Sequence, residues 1–220
     1  ILWHQFFMKL RNLVFVFGAM FCANVVALRA AEKPNILLIL SDDMGFSDLG
    51  CMGSQIHTPN LDSLAKDGVL FTQFYNGARC CPTRASMMTG LYAHQAGMGF
   101  MIRHVDYPGY AGDLSHQAVT IAEVMKAGGY RTYMCGKWHV AKSHNQKDGV
   151  ENWPVQRGFD KFYGTSRGFG SFYDPETLCR QNKFITPEND PEYKPDQFYY
   201  TEAITDNAIQ FLRDDADKKE

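Results

Sequence analysis

Residues 35–40 read NILLIL, a continuously apolar run that stops abruptly at Ser41-Asp42-Asp43-Met44-Gly45. A strand with one wet face alternates apolar and polar side chains, so an unbroken run this short predicts a strand buried on both faces. Such strands need a sheet with cover on both sides. The rest of the chain supplies matching pieces. Residues 61–66 predict a short helix, with Pro59 near its start and Gly68 as its stop, and residues 69–75 (VLFTQFY) predict a second strand. Residues 86–91 fall in another helix. Residues 120–127 place Ile121, Val124 and Met125 on one helical face and close at Gly128-Gly129, after which 130–135 reads as a strand.

Alternating strand and helix favour an α/β sheet with parallel strands, whose ligands gather beyond the carboxyl ends of the strands. Asp42, Asp43, Lys137 and His139 all follow such ends. The Gly-, Pro- and aromatic-rich stretch 153–197 predicts a long ordered loop region rather than a separate domain. Residues 198–213 then set Tyr200, Ala203, Ile204, Ala208, Phe211 and Leu212 on one stripe, which predicts a covering helix.

Near the amino terminus, Lys9 and Arg11 precede an apolar run over 13–28 (LVFVFGAMFCANVVAL) with small residues at Ala30 and Ala31. This is the layout of a secretory signal peptide, with Met8 as the expected start and residues 1–30 as upstream sequence plus leader. An uncleaved membrane anchor is the alternative, although the run is shorter than the roughly 20 residues of a span. Both readings predict export, to the periplasm or the cell exterior. Removing residues 1–30 takes away Lys9, Arg11 and Arg29 but no acid, moving the formal charge from -2 to -5. No broad basic field remains, so a nucleic-acid partner is not expected. Five cysteines follow the leader (Cys51, Cys80, Cys81, Cys135, Cys179), an odd number for a compartment in which thiols pair.

Three short constellations could carry chemistry. Asp42 and Asp43 would repel by about 4 kcal/mol if ionised about 4 Å apart at an effective dielectric near 20. A divalent cation would relieve this, and oxygen-only ligands favour calcium or magnesium. Both carboxylates reach one ion only if the backbone leaves extended geometry here, which Gly45 permits; a solvated turn is the alternative. Cys80-Cys81-Pro82-Thr83-Arg84 sits between a strand and a helix, with Arg79 and Arg84 bracketing the thiols. Such surroundings lower a cysteine pKa and attract anions, and a helix starting at Pro82 and Thr83 would point backbone N–H groups toward Cys80. A structural cysteine pair in a loop is equally compatible. Gly136-Lys137-Trp138-His139 places a cation and an imidazole just past a strand. It is no phosphate loop, because Arg131 stands where the first glycine would be, and a zinc site from Cys135, His139 and His144 lacks any paired C-x-x-C.

In this order and at these intervals, the three segments resemble the type I sulfatases of the alkaline phosphatase superfamily. Residues 80–84 fit that family's C-x-P-[ST]-R signature, and KPNILLILSDDMGFSDLGCMG, HTPNLDSLAKDGVLFTQFY and GGYRTYMCGKWH are similar to sulfatase sequence. The resemblance therefore runs from Lys33 to the end. It implies an alkaline-phosphatase-like, mostly parallel central sheet flanked by helices, with residues 31–220 as the amino-terminal part of the catalytic domain. It also implies that a maturation enzyme oxidises Cys80 to formylglycine and that Asp42, Asp43 and the modified Cys80 bind calcium. Arg84 then holds the formylglycine hydrate, Lys137 contacts sulfate and hydrate, and His139 hydrogen-bonds one of the hydrate's hydroxyls. The implied substrate is a sulfate ester of an aryl or carbohydrate group. In the family, further calcium ligands and a leaving-group acid follow later than residue 220, so residues 1–220 alone are expected to have little activity. Two competing readings remain open: a phosphonate monoester or phosphodiester hydrolase of the same superfamily, and a truncated binding protein with Cys80 unmodified.

Overall fold

The structure, a computed structural model, describes residues 33–143, 147 and 149–216. The expected leader and His144 lie outside the described residues. The chain divides into two compact units, Ile1–Asp48 and Leu49–Glu220.

In the first unit, residues 33–40 form no regular element, and Ile36, Leu37, Leu38 and Ile39 are all exposed. The doubly buried strand predicted here is not formed. A run that is apolar on both faces becomes a strand only between sheet neighbours that accept its N–H and C=O groups. No described residue pairs with it. The same correction applies in the second unit to residues 69–75, where Val69, Phe71, Phe74 and Tyr75 are exposed and no strand is assigned.

The described residues of the second unit form four α-helices: α1 (Pro59–Asp67), α2 (Cys80–Thr89), α3 (Ile121–Ala127) and α4 (Tyr200–Ala216). Its strands are β1 (Tyr133–Cys135), β2 (Lys161–Thr165), β3 (Leu178–Arg180) and β4 (Lys183–Phe184), in the order β1-β2-β3-β4. β1 and β2 are parallel; the other two pairings are antiparallel. The class is α/β as predicted, but the described sheet is mixed. Three of its strands lie inside the stretch predicted as loop, because these runs of two to five residues are too short, within a stretch rich in glycine and aromatics, to show a strand pattern.

The helices follow local signals closely. Pro59 opens α1, and the Thr120 hydroxyl accepts from the Glu123 N–H (3.1 Å) while the Glu123 carboxylate accepts from the Thr120 N–H (2.6 Å), a reciprocal cap for α3. In α3 the buried position is Ala122, not Val124, which is exposed. Helix α4 buries Ala203, Asn207 and Phe211, one residue per turn. Asn207 is there to receive Arg180: from β3, its guanidinium donates to both Asp190 carboxylate oxygens (2.9 and 2.7 Å), to Asn207 Oδ1 (2.8 Å) and to Glu192 (3.0 Å). This buried network fastens the sheet to α4.

The core that positions the site contains Cys81 and Ala85 from α2, with Met98, Leu114, Trp138, Val140, Trp153 and Phe162. Trp138 is fixed by its indole N–H to the Asn152 carbonyl (2.8 Å) and by an edge-on contact with Phe159. Asn152 in turn donates to the Leu114 carbonyl (2.8 Å) and accepts from Arg157.

Candidate active site

Helix α2 begins at Cys80, two residues earlier than its sequence predicted. Thr83 explains the early start. Its N–H donates to the Arg79 carbonyl (3.1 Å), while its hydroxyl accepts from the N–H of Gly77 (3.0 Å) and so pins the incoming loop. Cys80 and Cys81 thus stand in the first turn, where backbone N–H groups have no partner within the helix and the helix dipole is positive. Cys80 is half-buried and Cys81 is fully buried.

The segment after β1 brings the third constellation to this turn. The backbone runs beside the end of β2 beyond the assigned strand: the N–H of Gly136 donates to Tyr163 (2.8 Å), that of Trp138 to Thr165 (2.9 Å) and that of His139 to Ser166 (3.2 Å). Gly164 permits this, since a Cβ there would overlap the Gly136 carbonyl oxygen. Buried Arg84 then donates to the Lys137 carbonyl, tying the Gly136–His139 segment to α2. His139 is buried, with its backbone in the left-handed region (φ 57°). Its imidazole and the sulfurs of Cys80 and Cys81 offer donor atoms that all lie within 4.8 Å of one another. Lys137 is near enough for its charge to act on Cys81.

The structure therefore gathers Cys80, Cys81, Arg84, Lys137 and His139 around one helix start. Asp42 and Asp43 belong to the other unit. Both are exposed, and Asp43 itself lies in the left-handed region (φ 54°), a departure from extended geometry of the kind a shared cation requires.

One electrostatic expectation is overturned. Arg79 and Arg84 do not activate the buried thiol: Arg79 lies over the Phe100 ring (5.0 Å), and Arg84 is engaged with Lys137. Burial, reinforced by the neighbouring Cys80, pushes the Cys81 thiol up to about 12 against the opposing Ile102 backbone and Lys137 charge. Cys81 is a protonated core thiol at neutral pH, which leaves Cys80 as the position open to chemistry. Burial similarly raises Cys135 and Cys179 to about 12.

Sequence reasoning missed two supports. The His139 ring lies directly on Gly168, where a Cβ would come within 2.0 Å of Cε1 and 2.2 Å of Nδ1. Tyr200 from α4 holds the end of β2, accepting from the Thr165 N–H (2.9 Å) and donating to its hydroxyl (3.1 Å). Gly168 was visible only as one glycine among several, and nothing local marks it as a contact of His139.

The sequence profile of the sulfatase family matches residues 34–220. The chain belongs to the sulfatase family. It is 33% identical over 189 residues to an arylsulfatase of Klebsiella aerogenes, covering 83% of this chain and 39% of that protein. It is 37% identical over 163 residues to human steryl-sulfatase, covering 72% of this chain and 28% of that protein. Among solved structures, Ps i-CgsB in complex with k-i-k-neocarrahexaose matches with a TM-score of 0.69 and 29% identity, over 86% of this chain and 43% of that one. The chain spans roughly a third of the curated relatives' length. The site just described lies within the matched region.

Proposed function

We propose that the whole protein is a sulfatase that hydrolyses sulfate esters, with residue 80 as its nucleophile after conversion of Cys80 to formylglycine by a maturation enzyme. The observation that carries this reading is the convergence of Cys80, Arg84, Lys137 and His139 at the start of α2, in a chain of the sulfatase family. Cys80 fits the modification because it is half-buried at the first helical position, whereas the adjacent Cys81 is sealed in the core. Asp42 and Asp43 fit a hard divalent cation in donor chemistry and in the turn at Asp43, and calcium is the assigned ion. Two carboxylates supply at most about four of the six to eight oxygens calcium takes, so other groups complete its shell.

Once hydrated, the aldehyde would supply one hydroxyl to attack sulfur with displacement of the ester's alcohol or phenol, and a second hydroxyl whose deprotonation would expel sulfate and restore the aldehyde. A calcium ion bound there would add positive charge. The chain's own residues do the rest. Lys137, whose backbone Arg84 holds, places its ammonium against the sulfuryl oxygens as charge builds on them. Arg84 presents a second, permanent cation beside residue 80. His139, held on Gly168 next to residue 80, accepts the proton from the hydroxyl that collapses. Burial of His139 and Cys81 keeps bulk water from that face of the site.

The substrate class is an aryl or carbohydrate sulfate. One structural relative is complexed with an oligosaccharide, and the curated relatives are named for aryl and steryl sulfates. We also assign the apolar run at 13–28 as an export leader, which amino-terminal sequencing of the mature protein checks. The decisive test is mass spectrometry of the peptide carrying residues 80 and 81, together with turnover of matched aryl sulfate and aryl phosphate esters. An aldehyde at position 80 and preference for sulfate are expected. An intact thiol at position 80 in active protein, or preference for the phosphate ester, would overturn the reading.

A further inference from the structure

The cluster at the start of α2 contains more sulfur than a sulfate-ester hydrolase needs. Cys80 Sγ, Cys81 Sγ and one nitrogen of His139 lie mutually within 4.8 Å, and the Met101 thioether sulfur lies 3.9 Å from Cys80 Sγ. A tetrahedral ion with metal–sulfur bonds of about 2.3 Å and metal–nitrogen bonds of about 2.0 Å holds its donors about 3.5 Å apart, so the cluster would close by up to about 1.3 Å around it. Three features of the fold keep it assembled. Cys81 is locked in the core, the His139 ring rests on Gly168, and Met101 packs against the same core. No carboxylate belongs to this donor set, and thiolate, thioether and imidazole donors select soft cations over calcium or magnesium.

We propose that, as long as residue 80 keeps its thiol, Cys80, Cys81 and His139 bind one thiophilic d10 cation, copper(I) foremost, with Met101 as a weak additional donor. Binding releases one proton from each thiol, and the two thiolates offset the cation's charge beside Arg84 and Lys137. The thioether favours copper(I) over zinc(II), which has little use for it. Replacement of the Cys80 sulfur by an aldehyde oxygen removes a soft donor, so metal binding and conversion exclude each other. Metal held here keeps the nucleophile position in its unconverted state. The inference concerns the thiol form and is read without substrate, so it stands or falls separately from sulfate-ester turnover.

The test uses protein whose residue 80 is shown by mass spectrometry to be unconverted, reduced and freed of metal. It is titrated with copper(I) against a chromophoric copper(I) chelator, and in parallel with zinc(II). One equivalent of copper(I) should bind. Affinity should fall at least 100-fold in Cys81→Ser, in Cys80→Ser and in the converted protein, and several-fold in Met101→Leu for copper(I) but not for zinc(II). Cys51→Ser, at an exposed thiol outside the cluster, should leave binding unchanged. Where Cys81→Ser unfolds the protein, His139→Asn and Met101→Leu carry the test. Equal affinity in those variants, loss of the site in Cys51→Ser, or undiminished binding by the converted protein would overturn the proposal.

Discussion

Residues 35–40 and 133–135 carry the same sequence logic, an apolar run that ends abruptly in groups capable of chemistry, yet only the second is a strand. Tyr133, Met134 and Cys135 pair in parallel with Lys161, Phe162 and Tyr163, and the ladder direction continues through Trp138 and His139. Residues 36–39, more apolar by far, have no partner among the described residues and stand exposed. Apolarity specifies that a segment must be covered; it does not specify what covers it. The precision of the candidate site follows from that difference, because Lys137 and His139 inherit their positions from a paired strand, whereas Asp42 and Asp43 follow an unpaired one.

The strongest way to break the comparison is to loosen the paired side. Asp190→Ala leaves Arg180 buried without its bidentate partner, between β3 and α4. Removing one member of such a pair costs about 3 to 5 kcal/mol, so chemical denaturation should show a loss of that size. A loss under about 1 kcal/mol would mean that the network does not hold the sheet to α4. A smaller and more local change is Gly168→Ala, which drives a methyl into the His139 ring. Under the proposed function, displacing His139 by about 1 Å should lower kcat of the whole protein on the order of 100-fold. Unchanged kcat would remove His139 from the chemistry.

The next effect appears only on acidification. Although burial opposes it, the Thr120 N–H and the Arg157 guanidinium hold the Glu123 carboxyl below its ordinary value of 4.5. Asp160 is likewise held below 3.8, against burial, by Lys126 and Thr132. A carboxyl with a depressed folded-state pKa contributes its stability in full above the unfolded value and loses it as pH falls through the folded one. The denaturation midpoint should therefore decline below about pH 4. Glu123→Gln should flatten part of that decline; an unaltered acid limb would place the titration elsewhere.

What was legible in the sequence divides along the same line. Helix positions are legible where their signals are local: Pro59 opens α1, Gly128 follows α3, and α4 spans the expected stretch, with Ala203 and Phe211 of its expected stripe buried and Leu212 exposed. Of the residues singled out in the sequence, Cys80 lies close to His139, and Arg84 donates to the Lys137 carbonyl. Three things were not legible. Strands β2 to β4 hid in a Gly- and aromatic-rich stretch, because a three-residue strand is defined by its partner rather than its pattern. The Cys81 thiol runs against its sequence surroundings, because Arg79 lies over Phe100, Arg84 is engaged with the Lys137 carbonyl, and desolvation wins. Asn207, a polar residue that no pattern in the sequence singles out, is buried to accept from Arg180.

The smallest expected effect is also the one that bears most directly on the unpaired runs. Leu37 is 81% exposed and Val69 is 79% exposed. If these runs lack sheet neighbours, Leu37→Ser and Val69→Ser remove almost no buried apolar surface, and each should change the stability of this chain by no more than about 0.5 kcal/mol. Burial on both faces of a sheet would instead make each substitution cost about 1.5 to 3 kcal/mol in lost apolar transfer alone, and more with the cavity left behind. Measuring both variants in this chain and in the whole protein separates the cases. Small effects in both leave the two runs as surface segments. Small effects here and large ones in the whole protein would mean that further sequence supplies the missing neighbours, and that Asp42 and Asp43 gain their fixed positions only when those neighbours arrive.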